Sequence, residues 1–206
     1  MNYQKLAFTD TIKNLQEENG SRSAYERMER TSNVDGLTEN EIDFISNRDS
    51  FYMASFGENE YPYIQHRGGP VGFIKVIDDK TIGIVDFSGN RQYISVGNIS
   101  NNNKVALFMM SYSQKARLKI YASAKVVDLK DHDEIYNQLK PSDYKFRPER
   151  MILFEIQAYD WNCPQHITPR FTREEIEMAF QPQKEYIAKL EDIIKELEQK
   201  LEEKGS

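Results

Sequence analysis

The sequence predicts a mainly β fold of the α+β class: an antiparallel barrel, closed or nearly closed, with peripheral helices and a coiled-coil-like helix at the C-terminal end. Three observations predict it. From Ser50 to Tyr159, six or seven short runs rich in β-branched and aromatic residues recur between Gly, Asp and Asn turns. The chain has 206 residues, 39% of them hydrophobic and 12% aromatic, enough for one good-sized core plus appendages. Near the C-terminus, apolar residues recur at alternating spacings of three and four.

The elements follow in order. Residues 1–36 read as an N-terminal arm, in which Leu6, Ile12 and Leu15 have helical spacing and the charged stretch SRSAYERMER follows. The arm is expected to pack on a partner or on the core. The main domain is expected over residues 37–180. It opens with a helix that Thr38 and Glu41 mark by capping-box spacing, carries Ile42 and Ile45 on one face, and ends near Asn47. The strands are then SFYMASFG, YPYIQHRG, VGFIKVID, TIGIVDFS, KVALFMMSY, RLKIYASAKVVDL and RMILFEIQAYDW. Two stretches interrupt them: GNRQYISVGNISNNN reads as a loop and a short helix, and DHDEIYNQLKPSDYK as a helix ended by Pro141. Residues 181–206 form the last part, with Ile187, Leu190, Ile194, Leu197 and Leu201 on one stripe. That stripe is either a coiled-coil seam that needs a partner helix or the buried face of a helix lying on its own domain.

Charge and cysteine content exclude several functions. A formal charge of -6 gives no basic face to neutralise a nucleic-acid backbone. A single cysteine rules out an intrachain disulfide and points to a reducing compartment, the cytoplasm by default. The N-terminal twenty residues carry no apolar signal region, and no run of about 18 apolar residues occurs, so a membrane span is not expected.

The chemistry lies at strand ends. FSGNRQYISVGN follows the apolar run TIGIVD and brings together Gly89, Asn90, Arg91, Gln92, Ser95 and Gly97. Glycine lets backbone N–H groups approach an anion, Arg offers a planar fork and Ser a hydroxyl, which is the donor set of a phosphate cradle. A polar turn after a strand has the same look. No Walker-type or GxGxxG motif is present. In YIQHRGGP, strand alternation puts Gln65 and Arg67 on one face and His66 on the other. Arg117 and Lys119 likewise share a face, as anion ligands or as plain surface charge. WNCPQHITPRF holds the single Trp and the single Cys of the chain. Cys163 with His166 and His66 falls short of a zinc set by one ligand, and a thiol nucleophile would lack an orienting group. Cys163 therefore reads as a small packing residue, and no metal is expected.

QHRGGPVGFIKV, DFSGNRQYISVGNIS, RLKIYASAKV and WNCPQHITPRF, in this order over roughly residues 37 to 175, resemble the pyridoxamine 5'-phosphate oxidase-like, FMN-binding split-barrel family. The likeness is closest to the branch marked by GNRQYIS and NCPQHITPRF. It implies a six-stranded antiparallel split β-barrel that forms a homodimer, with non-covalent FMN at the subunit interface. By motif, it assigns Arg91, Gln92 and Ser95, with Asn90 beside them, to the FMN phosphate. Val85, Asp86, Phe87 and Ser88 fall where the strand backbone runs beside the flavin, and Gln65, His66 and Arg67 on the preceding strand. Arg117 matches a polar position on a later strand; Trp161, Gln165, His166 and Arg170 fall in the last segment, whose Trp and Arg approach the ring. Trp161 and Arg170 are one residue closer together than in the family oxidases.

One departure limits the function implied. Oxidases of pyridoxamine phosphate carry an Arg-x-His pair in that last segment, whereas HITPRF has no Arg before its His. The implied function is an FMN-dependent oxidoreductase that is not a true pyridoxamine phosphate oxidase, working with NAD(P)H or a small organic electron donor. The alternative is a non-catalytic module that stores or senses flavin. No amino-acid acid or base is assigned, although His66 and His166 have the chemistry for proton transfer near neutrality.

Overall fold

The structure, a computed structural model, describes residues 1–32, 34–161 and 164–204. Three helices open the chain, α1 (Tyr3–Ala7), α2 (Asp10–Glu18) and α3 (Arg22–Thr31), and α4 (Glu39–Ser46) leads into the sheet. β1 (Ser50–Phe56), β2 (Pro62–Gly68), β3 (Lys75–Val76) and β4 (Thr81–Phe87) follow. After them come α5 (Ile94–Asn101), β5 (Lys104–Ser111), β6 (Ala116–Val127), α6 (Asp133–Leu139), β7 (Pro148–Trp161) and α7 (Arg173–Lys204).

The mainly antiparallel α+β architecture is the one the sequence predicts. The sheet has seven strands rather than six, in the order β2-β1-β5-β6-β7-β4-β3, and its ladder stays open. Every pairing is antiparallel. The extra strand is short for a physical reason. In VGFIKVID, Gly72 adopts φ 77 and its N–H reaches the Arg48 carbonyl at 3.1 Å, so the chain turns where an extended run was expected. Phe73 and Ile74, 2% and 1% exposed, drop into the core, leaving only Lys75–Val76 to pair with β4.

One face of the curled sheet makes the core. β5 alternates buried and half-buried positions, and Val105, Leu107 and Met109 point inward to meet Phe51, Met53, Leu118, Ile120, Ile152 and Phe154. Burying each such side chain stabilises the fold by about 1.5–3 kcal/mol. β4 is buried on consecutive residues because α6 covers its other face: Val85, Val127, Leu139 and Met151 form a second cluster there. Gly83 makes that approach fit, since a Cβ on it would stand 2.8 Å from Leu139 Cδ2. Register shifts at Tyr121/Ala122 and at Asp86/Phe87 interrupt the ladders of β7 with β6 and with β4. Such shifts bend and overtwist long strands. They let β2 meet β4 through side chains although the two share no backbone ladder.

Two compact units are distinguished. The first comprises residues 1–111 and 115–166, so the N-terminal helices fold together with the sheet. Tyr3 stacks on Tyr121 of β6 at 5.0 Å between ring centroids, and Lys119 lies 4.7 Å above the Tyr3 ring. Arg22 grips Glu29 through two hydrogen bonds, of 2.8 and 3.0 Å, which ties α3 to itself. The second unit comprises residues 112–114 and the chain from residue 167 onward. Its helix α7 starts at Arg173, ahead of the expected position 181. Thr172 and Glu175 make a capping box there: the Glu175 N–H donates to Thr172 Oγ1 at 3.1 Å, and the Thr172 N–H to Glu175 Oε2 at 2.8 Å. The helix runs through Pro182, and the stripe Ile187, Leu190, Ile194, Leu197 and Leu201 stays exposed along it. Among the described residues no helix is long and apolar enough to cross a membrane.

Candidate functional site at the seam of the sheet

A cavity of about 270 Å³ opens where β2 approaches β4 and the start of α5. Its lining includes Gln65 and Arg67 of β2, Asp86 and Phe87 of β4, the loop Gly89–Gln92, the first turn of α5, and Glu149 at the start of β7. A smaller pocket of about 170 Å³, bordered by His66, Arg67, Val85, Asp86 and Phe87, adjoins it. Strand alternation produces the arrangement on β2: Gln65 and Arg67 are half-buried toward the seam and His66 is exposed on the other face. There the His66 ring meets Tyr52 edge-on at 5.4 Å.

The loop after β4 is shaped by its backbone. Arg91 and Tyr93 take left-handed conformations, φ 59 and 56, each at a cost of roughly 1–3 kcal/mol for a residue with a Cβ. These two residues turn the chain so sharply that α5 begins directly at Ile94. Tyr93 caps the helix without a side-chain hydrogen bond, and Ile94, Ser95 and Val96 of its first turn line the cavity. Free first-turn N–H groups and the helix dipole favour an anion at this end. Gly89 stands in open space, where a Cβ would meet nothing within 4 Å. Asn90 Oδ1 accepts from the Gln92 N–H at 3.2 Å and fixes the loop.

Five charges crowd the seam. Arg67 Nη1 is paired with Asp86 across the gap between β2 and β4, and its Nη2 donates to Gln65 Oε1 at 3.2 Å. Ser95, buried, donates to the same Gln65 oxygen at 2.5 Å. Arg150 stands 3.8 Å from Asp86 Oδ2, donates to Glu149 Oε2 at 2.7 Å, and covers the Tyr93 ring at 4.9 Å. Glu149 Oε1 accepts from Ser88 Oγ at 2.9 Å and lies 3.8 Å from Arg91 Nε. The Arg67 side chain is 10% exposed, and its Nε is buried without a hydrogen-bond partner. A buried guanidinium N–H without a partner is a cost the fold carries at this place. Phe87, Tyr144 and Phe146 supply aromatic surface beside it, with Phe87 and Phe146 4.8 Å apart.

The remaining expected residues lie elsewhere. Val85 is core, at the border of the smaller pocket. Arg117 stands on β6 opposite Met110, outside the cavity lining. Trp161 ends β7, twelve residues after Glu149, which is about 40 Å of extended strand. Its Nε1 donates to Glu41 Oε1 at 2.5 Å and its ring meets Phe44 edge-on at 4.8 Å. Glu41, only 4% exposed, also accepts from Tyr159 Oη at 3.1 Å and from the N–H and hydroxyl of Thr38. Burial alone would push the Glu41 carboxyl up, but the hydrogen bonds from Thr38, Trp161 and Tyr159 hold it below its ordinary value. Burial, together with the Glu41 charge, raises the Tyr159 hydroxyl well above the usual tyrosine range. Gln165 and His166 are exposed. Arg170, in the second unit, lies 4.7 Å above the Tyr112 ring. Cys163 falls outside the described residues. Among the described residues no group of three or more His, Cys, Asp or Glu could hold a metal ion.

Glu149, Arg150 and Tyr93 belong to the site and were not anticipated from the sequence. Glu149 sits 61 residues from Ser88, so no local motif announces the contact. The one available hint was a pair of opposite charges at the start of an otherwise apolar strand, PERMILF.

Comparison with known proteins agrees with this architecture. No curated protein matches the chain. Group A Streptococcus HupZ superposes with a TM-score of 0.50 at 15% identity, covering 66% of this chain and 99% of that one, a likeness of fold. An FMN-binding protein from Syntrophomonas wolfei aligns with a TM-score of 0.43 at 18% identity, over 72% of this chain and 97% of its own. The pyridoxamine 5'-phosphate oxidase family model matches residues 37–160, from the foot of α4 to the penultimate residue of β7. Since that span contains the whole sheet and the seam cavity, the chain belongs to the pyridoxamine 5'-phosphate oxidase family.

Proposed function

We propose that the protein binds FMN through the seam cavity and works as an FMN-dependent oxidoreductase, in the cytoplasm and as a homodimer. The observation that carries this reading is the charged lining of the cavity, where Arg67, its side chain nine-tenths buried and paired with Asp86, stands with Arg91 and the first turn of α5. The donors around it fit the phosphate end of the cofactor. Arg91 and the Gln92 amide stand on the loop and the uncapped first turn of α5 below, while the Ser88 hydroxyl, just before the loop, is held by the lining residue Glu149. Charge-assisted bonds of this kind are roughly twice as strong as neutral ones. When bound, the flavin supplies two-electron redox chemistry, and the protein's part is to bind, orient and tune.

Reach supports the dimer reading. Trp161 and the cavity stand at opposite ends of β7, so a single flavin touching both would draw them from two chains. The missing Arg-x-His pair argues against pyridoxamine phosphate as the substrate. NAD(P)H or a small organic donor suits the exposed approach to the seam.

Flavin fluorescence titration tests the proposal. FMN should bind on the order of tenfold or more tightly than riboflavin, which lacks the phosphate. A purified protein that takes up no FMN refutes it. Steady-state NAD(P)H oxidation by the loaded protein then separates an enzyme from a flavin-storing or flavin-sensing module, which would show no turnover with common acceptors.

A further inference from the structure

The seam contains two acids, and they are held differently. Asp86 is locked between the buried Arg67 and Arg150. Glu149 divides its two oxygens: Oε2 is anchored on Arg150 at 2.7 Å, while Oε1 occupies the Ser88 hydroxyl at 2.9 Å and faces Arg91 Nε at 3.8 Å. Arg91 lines the cavity that the proposed phosphate would need, and Ser88 stands just before that loop. The Arg91 side chain is 58% exposed, so its long contact with Glu149 is solvated and weak. Three arginines (67, 91 and 150) against two carboxylates (86 and 149) leave a net charge of +1, from 3 − 2. A phosphate monoester brings about two negative charges at neutral pH. With Glu149 still on Ser88 and Arg91, those charges would face a carboxylate at close range.

We propose that Glu149 is a built-in competitor for the ligand's phosphate. Its Oε1 accepts from Ser88 and faces Arg91 in the free protein, and an entering phosphate displaces it while Oε2 keeps its anchor on Arg150. Affinity at the seam is therefore set by an acid of the protein itself, and the site discriminates against weakly charged ligands that cannot win the exchange. This rests on the phosphate-binding reading of the cavity given above. It adds a specificity residue that makes no favourable contact with the ligand.

The test is Glu149→Gln, which keeps size and removes the charge. FMN and riboflavin are titrated by flavin fluorescence, and inorganic sulfate, a dianion that does not titrate near neutrality, is followed by thermal shift. Glu149→Gln should tighten FMN and sulfate on the order of tenfold and leave riboflavin unchanged. Glu149→Asp, whose carboxylate is one methylene shorter, should reproduce part of the gain and guards against misfolding of the amide variant. If the wild-type protein binds FMN and both variants bind it equally or more weakly, the competitor role is wrong and the flavin reading stands. If no form binds FMN but Glu149→Gln binds sulfate more tightly, the flavin reading fails and the competitor role stands. If no form binds either, both fall.

Discussion

Glu41 offers a perturbation whose size can be worked out from its contacts. Four hydrogen bonds end on this buried carboxylate, from the Thr38 N–H at 3.0 Å, the Thr38 hydroxyl at 2.5 Å, Tyr159 Oη at 3.1 Å and Trp161 Nε1 at 2.5 Å. A bond to a charged acceptor contributes about 1.5–3 kcal/mol and a neutral one about 0.5–1.5. In Glu41→Gln one oxygen survives as a neutral acceptor, and the other becomes an amide facing donors that it cannot accept from. The net loss is about 2–3 kcal/mol at neutral pH, or roughly 5–10 °C in Tm for a domain of this size. The pH dependence has a definite sign. The folded-state pKa of Glu41 lies below its ordinary 4.5, so its contribution is fully present above that value and is lost as pH falls through the folded one. Melting curves followed by circular dichroism at pH 7 and at about pH 3 check both parts. The reasoning is refuted if wild type and variant melt together at pH 7, or if the gap between them is the same at both pH values.

Arg91→Ala should weaken FMN binding on the order of tenfold while Tm changes little, because the side chain is mostly solvated; unchanged affinity in a fluorescence titration would remove Arg91 from the phosphate site. Phe154→Ala, at a fully buried core position, should cost about 3–5 kcal/mol in urea unfolding, and a cost below about 1 kcal/mol would contradict the packing described. Ending the chain at residue 182 removes the exposed stripe of α7; sedimentation should still report a dimer if the sheet provides the main interface, and a monomer would assign the pairing to α7.

Much of the fold was legible because it rests on local patterning. The alternation in KVALFMMSY and the capping pair Thr38–Glu41 reappear as β5 and the start of α4. Gln65 and Arg67 were placed on one face by the same period-two logic, and they meet in the cavity. The misreadings have tertiary causes. VGFIKVID has strand composition, but Gly72 turns it and two of its apolar residues serve the core instead. α7 was started late because its apolar stripe shows only from Ile187 onward, whereas the capping box at Thr172 had already set the helix running. Trp161, which the resemblance carries to the flavin, makes a further contact that spacing does not show. Its partner Glu41 lies 120 residues away, and Glu41 had been noticed only as a helix cap. Contacts of that range leave no trace in spacing.

The join between β2 and β4 is made by side chains alone: the Arg67–Asp86 pair and, beside it, Ser95 on Gln65. A backbone ladder opens only by exposing rows of amides to water, but this join can part and reclose with each guanidinium, carboxylate and hydroxyl exchanging its partner for solvent. The line where no ladder joins the two strands is thus also the line of the charged cavity. A ligand that touches both banks would add to this join bonds that the backbone does not supply.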